Sequence, residues 1–115
     1  MQFESSTYLY FLHMSLHLYF VYILSSPNKN AIYAGVTSDL PGRVFQHKRK
    51  MFQGFTAKYN IDRLVYYERF DYIDLAIARE KQIMGYSRAK KDAPINAANP
   101  AWSDLYKDGK ITSLK

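Results

Sequence analysis

The chain has 115 residues, a net charge of +6 and no cysteine. A chain of this length forms one domain, and its content of 48% hydrophobic and 17% aromatic residues excludes a disordered protein. The lack of cysteine excludes disulfides and thiolate metal sites, while the positive charge favours a polyanionic partner such as nucleic acid.

Residues 1–17 are predicted to be an N-terminal extension, either disordered or a start-site artefact with Met14 as the true start. Residues 7–24 carry no Lys, Arg, Asp or Glu over 18 positions, which is long enough for a membrane helix. The histidines and tyrosines in it, and the lack of a preceding Lys or Arg, disfavour insertion. We therefore predict a cytoplasmic protein and keep a membrane anchor at residues 7–24 as a weaker alternative.

Three segments are predicted to be strands. In residues 18–25 both alternating sets are apolar or aromatic, which indicates a central strand covered on both faces. The Ser, Pro and Asn cluster at residues 25–30 predicts a turn into an antiparallel strand at residues 31–36. Residues 63–70 are β-branched and aromatic enough for a third strand.

A helix is predicted directly after the second strand. Thr37, Ser38 or Asp39 caps it, and Pro41 suits its first turn. Gly42 is an unusual choice inside a helix and predicts a loose start. The polar residues that recur at helical spacing are Arg43, Gln46, His47 and Lys50.

The clearest helix covers residues 71–84, with Asp71 as its predicted cap. Glu80 lies on its apolar stripe. Because a buried carboxylate without a partner is costly, Glu80 needs a cation from the protein or a metal ion. The apolar members of the stripe are Ile73, Ala76, Ile77, Ile83 and Met84.

The C-terminal part gives weaker predictions. Residues 87–91 begin a short helix that Pro94 interrupts, and residues 96–106 form an extended segment anchored by Trp102. The tail, residues 107–115, is predicted to be frayed.

Five residues at fixed spacing carry a resemblance to a known family. Tyr22 in VYI and Tyr33 in YAG lie 11 positions apart, Arg43 follows ten residues later, and His47 four residues after that. Together with Glu80 in AREKQI, they resemble the motifs of the GIY-YIG nuclease superfamily, in particular its small bacterial and archaeal members of the UPF0213 type.

The resemblance spans residues 18–106, which we predict to be the nuclease-like domain. The segments GFTAKYN, RLVYYE and NPAW are also similar to those of the small members. Phe20 and Val21 depart from the family motif where it has Gly and Ile, and Ala34 departs where it has Ile. These apolar replacements are expected to leave the strands intact.

The resemblance implies an α/β fold of the α+β sandwich type, with a small three-stranded antiparallel sheet flanked by helices. It also implies a metal-dependent endonuclease that hydrolyses DNA, in repair or recombination. Glu80 would hold Mg²⁺ or Mn²⁺. Tyr22 or Tyr33 would orient or deprotonate the attacking water with help from His47, and Arg43 would clamp a phosphate oxygen.

Several basic residues are expected to follow the DNA backbone, although a merely solvated face is the ordinary reading of such charges. RNA is kept as an alternative substrate, and the expected state is a monomer or a weak homodimer. The predicted DNA-binding residues are Lys48, Arg49, Lys50, Lys58, Tyr59, Arg88, Lys90 and Lys91.

Four alternatives stay open at this stage. The chain can be a nucleic-acid-binding module that has lost turnover. Tyr22 and Tyr33 can be core aromatics, and His47 can be a surface residue. Arg43 and Glu80 can form a salt bridge that satisfies the carboxylate without a metal.

Overall fold

The computed structural model describes residues 18–114. Three strands form an antiparallel sheet in which β1 (Tyr19–Ser25) lies between β2 (Ile32–Thr37) and β3 (Arg63–Phe70). The predicted three-stranded sheet is therefore confirmed, and β2 is one of its edges.

Within residues 18–114, four helices accompany the sheet: α1 (Leu40–Lys48), α2 (Phe55–Lys58), α3 (Ile73–Met84) and α4 (Arg88–Ala98). In the chain between α1 and β3, α2 is a single helical turn. The α+β architecture that the sequence predicts is the one observed.

The two faces of β1 point into two separate cores. Val21 and Ile23 lie in the core beneath α3 and α4, while Tyr22 and Leu24 lie in the core beneath α1. All four side chains are fully buried, so the prediction of a strand covered on both faces is confirmed. Each such burial contributes roughly 1.5–3 kcal/mol relative to an exposed side chain.

The start of α1 is defined by Asp39. Its carboxylate accepts a hydrogen bond from the backbone N–H of Gly42 at 3.1 Å, and its own N–H donates to the Thr37 hydroxyl at 3.0 Å. A Cβ at position 42 would lie 2.1 Å from the Asp39 carboxylate. Gly42 therefore leaves room for the cap, and the start of α1 is held rather than loose.

Two predictions about α3 are wrong. The helix begins at Ile73, and Asp71 does not cap it, because Tyr72 occupies the N-cap position without a side-chain hydrogen bond. The predicted apolar stripe is only partly buried, because the three-stranded sheet is narrow and covers one row of side chains along the helix. Ala76 and Ile83 are buried, whereas Ile73, Ile77 and Met84 are 49%, 38% and 58% exposed.

Pro94 does not interrupt α4, contrary to the sequence prediction. Proline removes one backbone hydrogen bond from a helix, but packing on both sides of Pro94 outweighs that loss. Ile95 is fully buried, and the Asn96 side chain accepts a hydrogen bond from Trp102 Nε1 at 2.7 Å. The segment predicted as extended therefore begins with the last turn of α4.

The tail, residues 107–115, was predicted to be frayed, which is wrong for residues 107–112. A small hairpin joins β4 (Tyr106–Lys107) to β5 (Lys110–Ile111). The Tyr67 hydroxyl donates to the carbonyl of Thr112 at 3.1 Å, so the hairpin is attached to β3. The predicted end of the nuclease-like domain at residue 106 stays a prediction.

The membrane-anchor alternative concerned residues 7–24. Of these, residues 19–24 lie in β1, and residues 7–17 lie outside the described part of the chain. Within residues 18–114, no helix has both the length and the apolar character needed to cross a bilayer.

Candidate active site

A cavity of about 300 Å³ lies where β2, α1 and the loop carrying α2 meet. The sequence prediction named three of its lining residues, Tyr33, Arg43 and His47. The other four are Phe52, Gln53, Phe55 and Thr56.

Tyr22 lies behind this cavity and is fully buried. Its hydroxyl is 3.4 Å from Nε2 of His47, and its ring centroid is 6.3 Å from that of Tyr33. Burial, the neighbouring Tyr33 and the charge of Glu80 raise the pKa of Tyr22 to about 12, against an opposing effect of Arg43. Tyr22 is therefore protonated at neutral pH and acts as a hydrogen-bond donor.

Tyr33 differs from Tyr22 in its access to solvent. It lies on the edge strand β2, pairs with Leu24 and is 37% exposed. Its ring centroid lies 5.6 Å from that of His47. Of the two motif tyrosines, Tyr33 is the one that a bound phosphate or water can reach.

His47 is a buried residue of α1, with 6% exposure, so the surface-residue alternative is wrong. Its Nε2 lies 3.4 Å from the Tyr22 hydroxyl and its Nδ1 lies 3.1 Å from the Thr56 hydroxyl, so both ring nitrogens have a hydrogen-bond partner. The ring of Phe52 packs against it at 4.7 Å. Burial and the charge of Arg43 lower the pKa of His47, so its imidazole is neutral at neutral pH.

Arg43 lines the cavity one helical turn before His47. Its guanidinium lies 5.5 Å from the centroid of the Phe52 ring. Within residues 18–114 it forms no ion pair, so the predicted alternative of an Arg43–Glu80 salt bridge is not found. The guanidinium donors thus face a cavity in which an anion can bind.

Glu80 approaches from α3, on the opposite face of the sheet from α1. Its partly buried carboxylate makes no hydrogen bond or ion pair with any residue of the described chain. Its charge contributes to the raised pKa of Tyr22, so the Glu80 carboxylate lies within electrostatic range of the Tyr22 hydroxyl. Tyr22, Tyr33, Arg43 and His47 therefore converge directly, while Glu80 stands beside them without lining the cavity.

The comparison with protein families agrees with this convergence. The model of the GIY-YIG catalytic domain matches residues 18–93. This chain belongs to the GIY-YIG family. The match covers the three strands, α1 to α3 and the first part of α4, and so includes all five residues of the motif.

Two curated relatives of this chain and one solved structure similar to it carry the UPF0213 name. A UPF0213 protein of Natronomonas pharaonis is 38% identical over 78 residues, covering 64% of this chain and 86% of the relative. One from Haloquadratum walsbyi is 36% identical over 77 residues, covering 64% and 81%. The solution NMR structure of UPF0213 protein BH0048 from Bacillus halodurans is 26% identical, covers 70% of this chain and 84% of that one, and has a TM-score of 0.45.

The side chains of this GIY-YIG domain that could bind a metal suit a hard cation that keeps most of its water ligands. No group of three or more His, Asp or Glu side chains suited to a metal occurs among residues 18–114. Glu80 supplies one carboxylate without a protein partner. Mg²⁺ is commonly bound by one or two carboxylates, with waters and substrate phosphates completing its shell.

Two of the predicted DNA-binding residues are engaged inside the fold. Lys48 forms an ion pair with Asp104 and lies over the Tyr106 ring. Arg88 donates to the carbonyls of Lys29 and Asn30 and pairs with Asp92. Both side chains hold neighbouring segments together, which leaves them less able to contact a phosphate.

The other predicted DNA-binding residues lie near the surface. Exposed Arg49 and Lys50 follow α1, and Lys58 and Tyr59 are at the end of α2. Lys91 and Tyr33 line a separate small cavity on the side of α3. Lys90 lies over the Tyr86 ring.

Sequence reasoning missed Thr56 and Phe52, which hold His47. The only available signal for Thr56 was the segment GFTAKYN, and nothing in it indicates contact with a residue nine positions earlier. Sequence reasoning also missed Gly35, which lies opposite Tyr22 in the β1–β2 pairing. Such contacts depend on how the loop folds back over α1.

Proposed function

We propose that this chain is a divalent-metal-dependent endonuclease that hydrolyses DNA phosphodiester bonds. The observation that carries the proposal is the cavity lined by Tyr33, Arg43 and His47, with the Glu80 carboxylate standing beside it without a protein partner. Phosphodiester hydrolysis needs an activated water, a positive charge for the developing phosphorane and help for the leaving oxygen. The four residues offer these functions in one place.

Arg43 binds the scissile phosphate. Its planar guanidinium matches two phosphate oxygens at once, and the adjacent Phe52 ring supports its position at 5.5 Å. Because the charge on the phosphate increases in the transition state, this contact strengthens as the reaction proceeds.

Tyr33 orients the attacking water, since it is the motif tyrosine that is exposed at the cavity. His47 lines the same cavity and is unprotonated at neutral pH. The hydroxyl groups of Tyr22 and Thr56 lie at its two ring nitrogens, so it assists the proton transfer from the water through one of these hydroxyls. Tyr22 is a positioning residue: its buried hydroxyl lies 3.4 Å from His47 Nε2, and with a pKa of about 12 it is a poor base.

Glu80 is the residue that would hold Mg²⁺ or Mn²⁺. The cation, when bound, neutralises charge on the phosphate and stabilises the leaving oxygen. Glu80 presents its carboxylate without competition from a protein cation, since Arg43 does not pair with it. A single carboxylate gives weak affinity for the ion alone, so we expect DNA to strengthen ion binding.

A substrate panel tests the proposal. Labelled duplex, nicked, branched and single-stranded DNA, and RNA, are incubated with wild type, Glu80→Ala and Arg43→Ala, with Mg²⁺, with Mn²⁺ and with chelator. Both variants should lose cleavage while keeping most of their DNA affinity. Arg69→Ala is the matched control, because Arg69 is an exposed arginine on β3, at the other edge of the sheet.

The outcomes separate the candidate functions. Cleavage by wild type that survives Glu80→Ala would overturn the mechanism. DNA binding by wild type without cleavage of any substrate would instead support the binding module that has lost turnover.

A further inference from the structure

A second cavity of about 340 Å³ lies beside the candidate active site. It is formed by the β1–β2 turn on one side and by α2 on the other. The side chain of Phe55 lines both this cavity and the one that contains Arg43, so a single ring separates them. The other residues around the second cavity are Ser26, Asn28, Asn30, Ala31 and Tyr59.

The side of this cavity formed by α2 is aromatic and exposed. Phe55 and Tyr59 are 53% and 47% exposed, and their ring centroids lie 5.1 Å apart at an interplanar angle of 57°. Neither ring is needed to fill a core of the protein. Exposed aromatic faces of this kind bind planar groups by stacking, and nucleobases are the common case in proteins that bind single strands.

The opposite side of the cavity is formed by side-chain amides. Asn28 Oδ1 accepts hydrogen bonds from the Ser26 hydroxyl at 2.8 Å and from the backbone N–H of Asn30 at 3.0 Å. Because a backbone N–H can only donate, these contacts fix which end of the Asn28 amide is the oxygen. Its NH₂ group makes no hydrogen bond within residues 18–114, and neither does the side chain of Asn30. The cavity therefore offers unused amide donors and acceptors, which match the edge of a base.

The surroundings favour a polyanion. Lys58 lies over the Tyr59 ring at 5.3 Å. Lys50 donates a 2.8 Å hydrogen bond to Asn60, the residue after Tyr59, and Arg43 lines the adjoining cavity. No carboxylate lines either cavity. A phosphate at Arg43 and an attached base beyond Phe55 are thus both compatible with the charges present.

We propose that this second cavity binds one unpaired nucleobase of the substrate, next to the cleaved phosphate. The base stacks on Phe55 and Tyr59, and its edge bonds to the amides of Asn28 and Asn30. The chain then prefers strands whose base at this position is already unpaired, because a paired base must first leave its stack. The link to cleavage rests on the proposed nuclease function, whereas the base site itself does not.

Three fluorescent duplexes of one sequence test the site: a fully paired duplex, one with a single-nucleotide bulge, and one in which the bulged nucleotide is abasic. Affinities are measured by fluorescence anisotropy in chelator at fixed salt, so that no cleavage occurs. The wild type should bind the bulge about 10-fold more tightly than the abasic bulge. The two bulged backbones are alike, so this ratio reports the base itself.

Variants locate the effect. Phe55→Ala should bring the ratio close to one, and Asn30→Ala should reduce it, while Phe45→Ala should leave it unchanged. Phe45 is a matched control because it is an aromatic residue with 43% exposure on α1 and lines neither cavity. Since Phe55 is itself half-exposed, its truncation is expected to leave the fold intact, which thermal unfolding checks.

Equal binding of the bulge and the abasic bulge by wild type would overturn the base site, whether or not the chain cleaves DNA. The base site would also be overturned if Phe55→Ala kept the wild-type ratio of affinities for the bulge and the abasic bulge. Base discrimination without Mg²⁺-dependent cleavage of any substrate would overturn the proposed nuclease function and leave the base site standing.

Discussion

Gly35 lies opposite Tyr22 across the β1–β2 pairing, and the ring of Tyr22 occupies the space above it. A Cβ at position 35 would lie 2.5 Å from the Tyr22 hydroxyl and 2.6 Å from the carbon that carries it. The missing side chain thus lets Tyr22 extend over the edge strand β2. This position brings its hydroxyl to His47 on α1 and near Glu80 on α3.

Gly35→Ala should therefore displace Tyr22 and disturb the site. We expect a loss of about 1–3 kcal/mol in the free energy of unfolding from overpacking and a strong loss of cleavage. Chemical denaturation and a nuclease assay measure the two effects. Gly85→Ala is the control, because a Cβ there makes only ordinary contacts, the nearest at 3.5 Å. Full activity in Gly35→Ala would contradict the role given to Tyr22.

The two motif tyrosines should respond differently to loss of their hydroxyl groups. Tyr33→Phe removes the group that orients water, and we expect cleavage to fall on the order of 100-fold or more. Tyr22→Phe removes a buried hydroxyl that contacts Arg43 and forms a hydrogen bond of 3.4 Å with His47, and this hydroxyl does not reach the substrate, so cleavage should fall less. Single-turnover rates with saturating enzyme measure both. A larger loss in Tyr22→Phe would reverse the assignment.

Glu80 and Glu68 provide a matched pair of carboxylates. Glu80→Gln should abolish metal-dependent cleavage and change stability by less than about 0.5 kcal/mol, because the carboxylate makes no hydrogen bond or ion pair inside the described chain. Glu68 accepts two hydrogen bonds from Arg79, at 2.8 and 2.9 Å. Glu68→Gln should cost about 1–2 kcal/mol of stability and keep cleavage.

Denaturation curves and cleavage assays on both variants decide between these roles. If Glu80→Gln were the variant that lost stability and kept activity, Glu80 would be a structural residue and not the metal ligand.

Stability should fall as the pH decreases from about 6.5, where an unfolded histidine titrates. The pKa of His47 is lower in the folded chain because of burial and the charge of Arg43. Between the two pKa values the unfolded chain binds more protons, so unfolding is favoured, whereas above the higher value neither state carries the proton. Urea denaturation across this range measures the slope.

His47→Gln should flatten this dependence, because glutamine keeps polar contacts without titrating. His47 is the histidine of the described residues, so no other imidazole there contributes. A slope that His47→Gln leaves unchanged would show that the pKa of His47 is not the cause.

The sequence by itself determined the sheet, because strand alternation and turn composition are local patterns. In β1 both alternating sets are apolar, and both faces are indeed buried. Asp39 and Pro41 likewise indicated the start of α1, since capping involves residues three positions apart, whereas the loose start predicted from Gly42 was wrong. The spacing of Tyr22, Tyr33, Arg43, His47 and Glu80 was enough to indicate the family.

Only the tertiary structure decided how those residues are used. That Tyr22 is buried and Tyr33 is exposed depends on Gly35 and on β2 being an edge. Thr56 reaches His47 because the loop after α1 folds back, and Lys48 is engaged because Asp104 approaches from 56 positions away. Such contacts join segments distant along the chain, and their packing energy exceeds the local preference of a residue for helix or loop. The helix α4, which continues past Pro94, illustrates this.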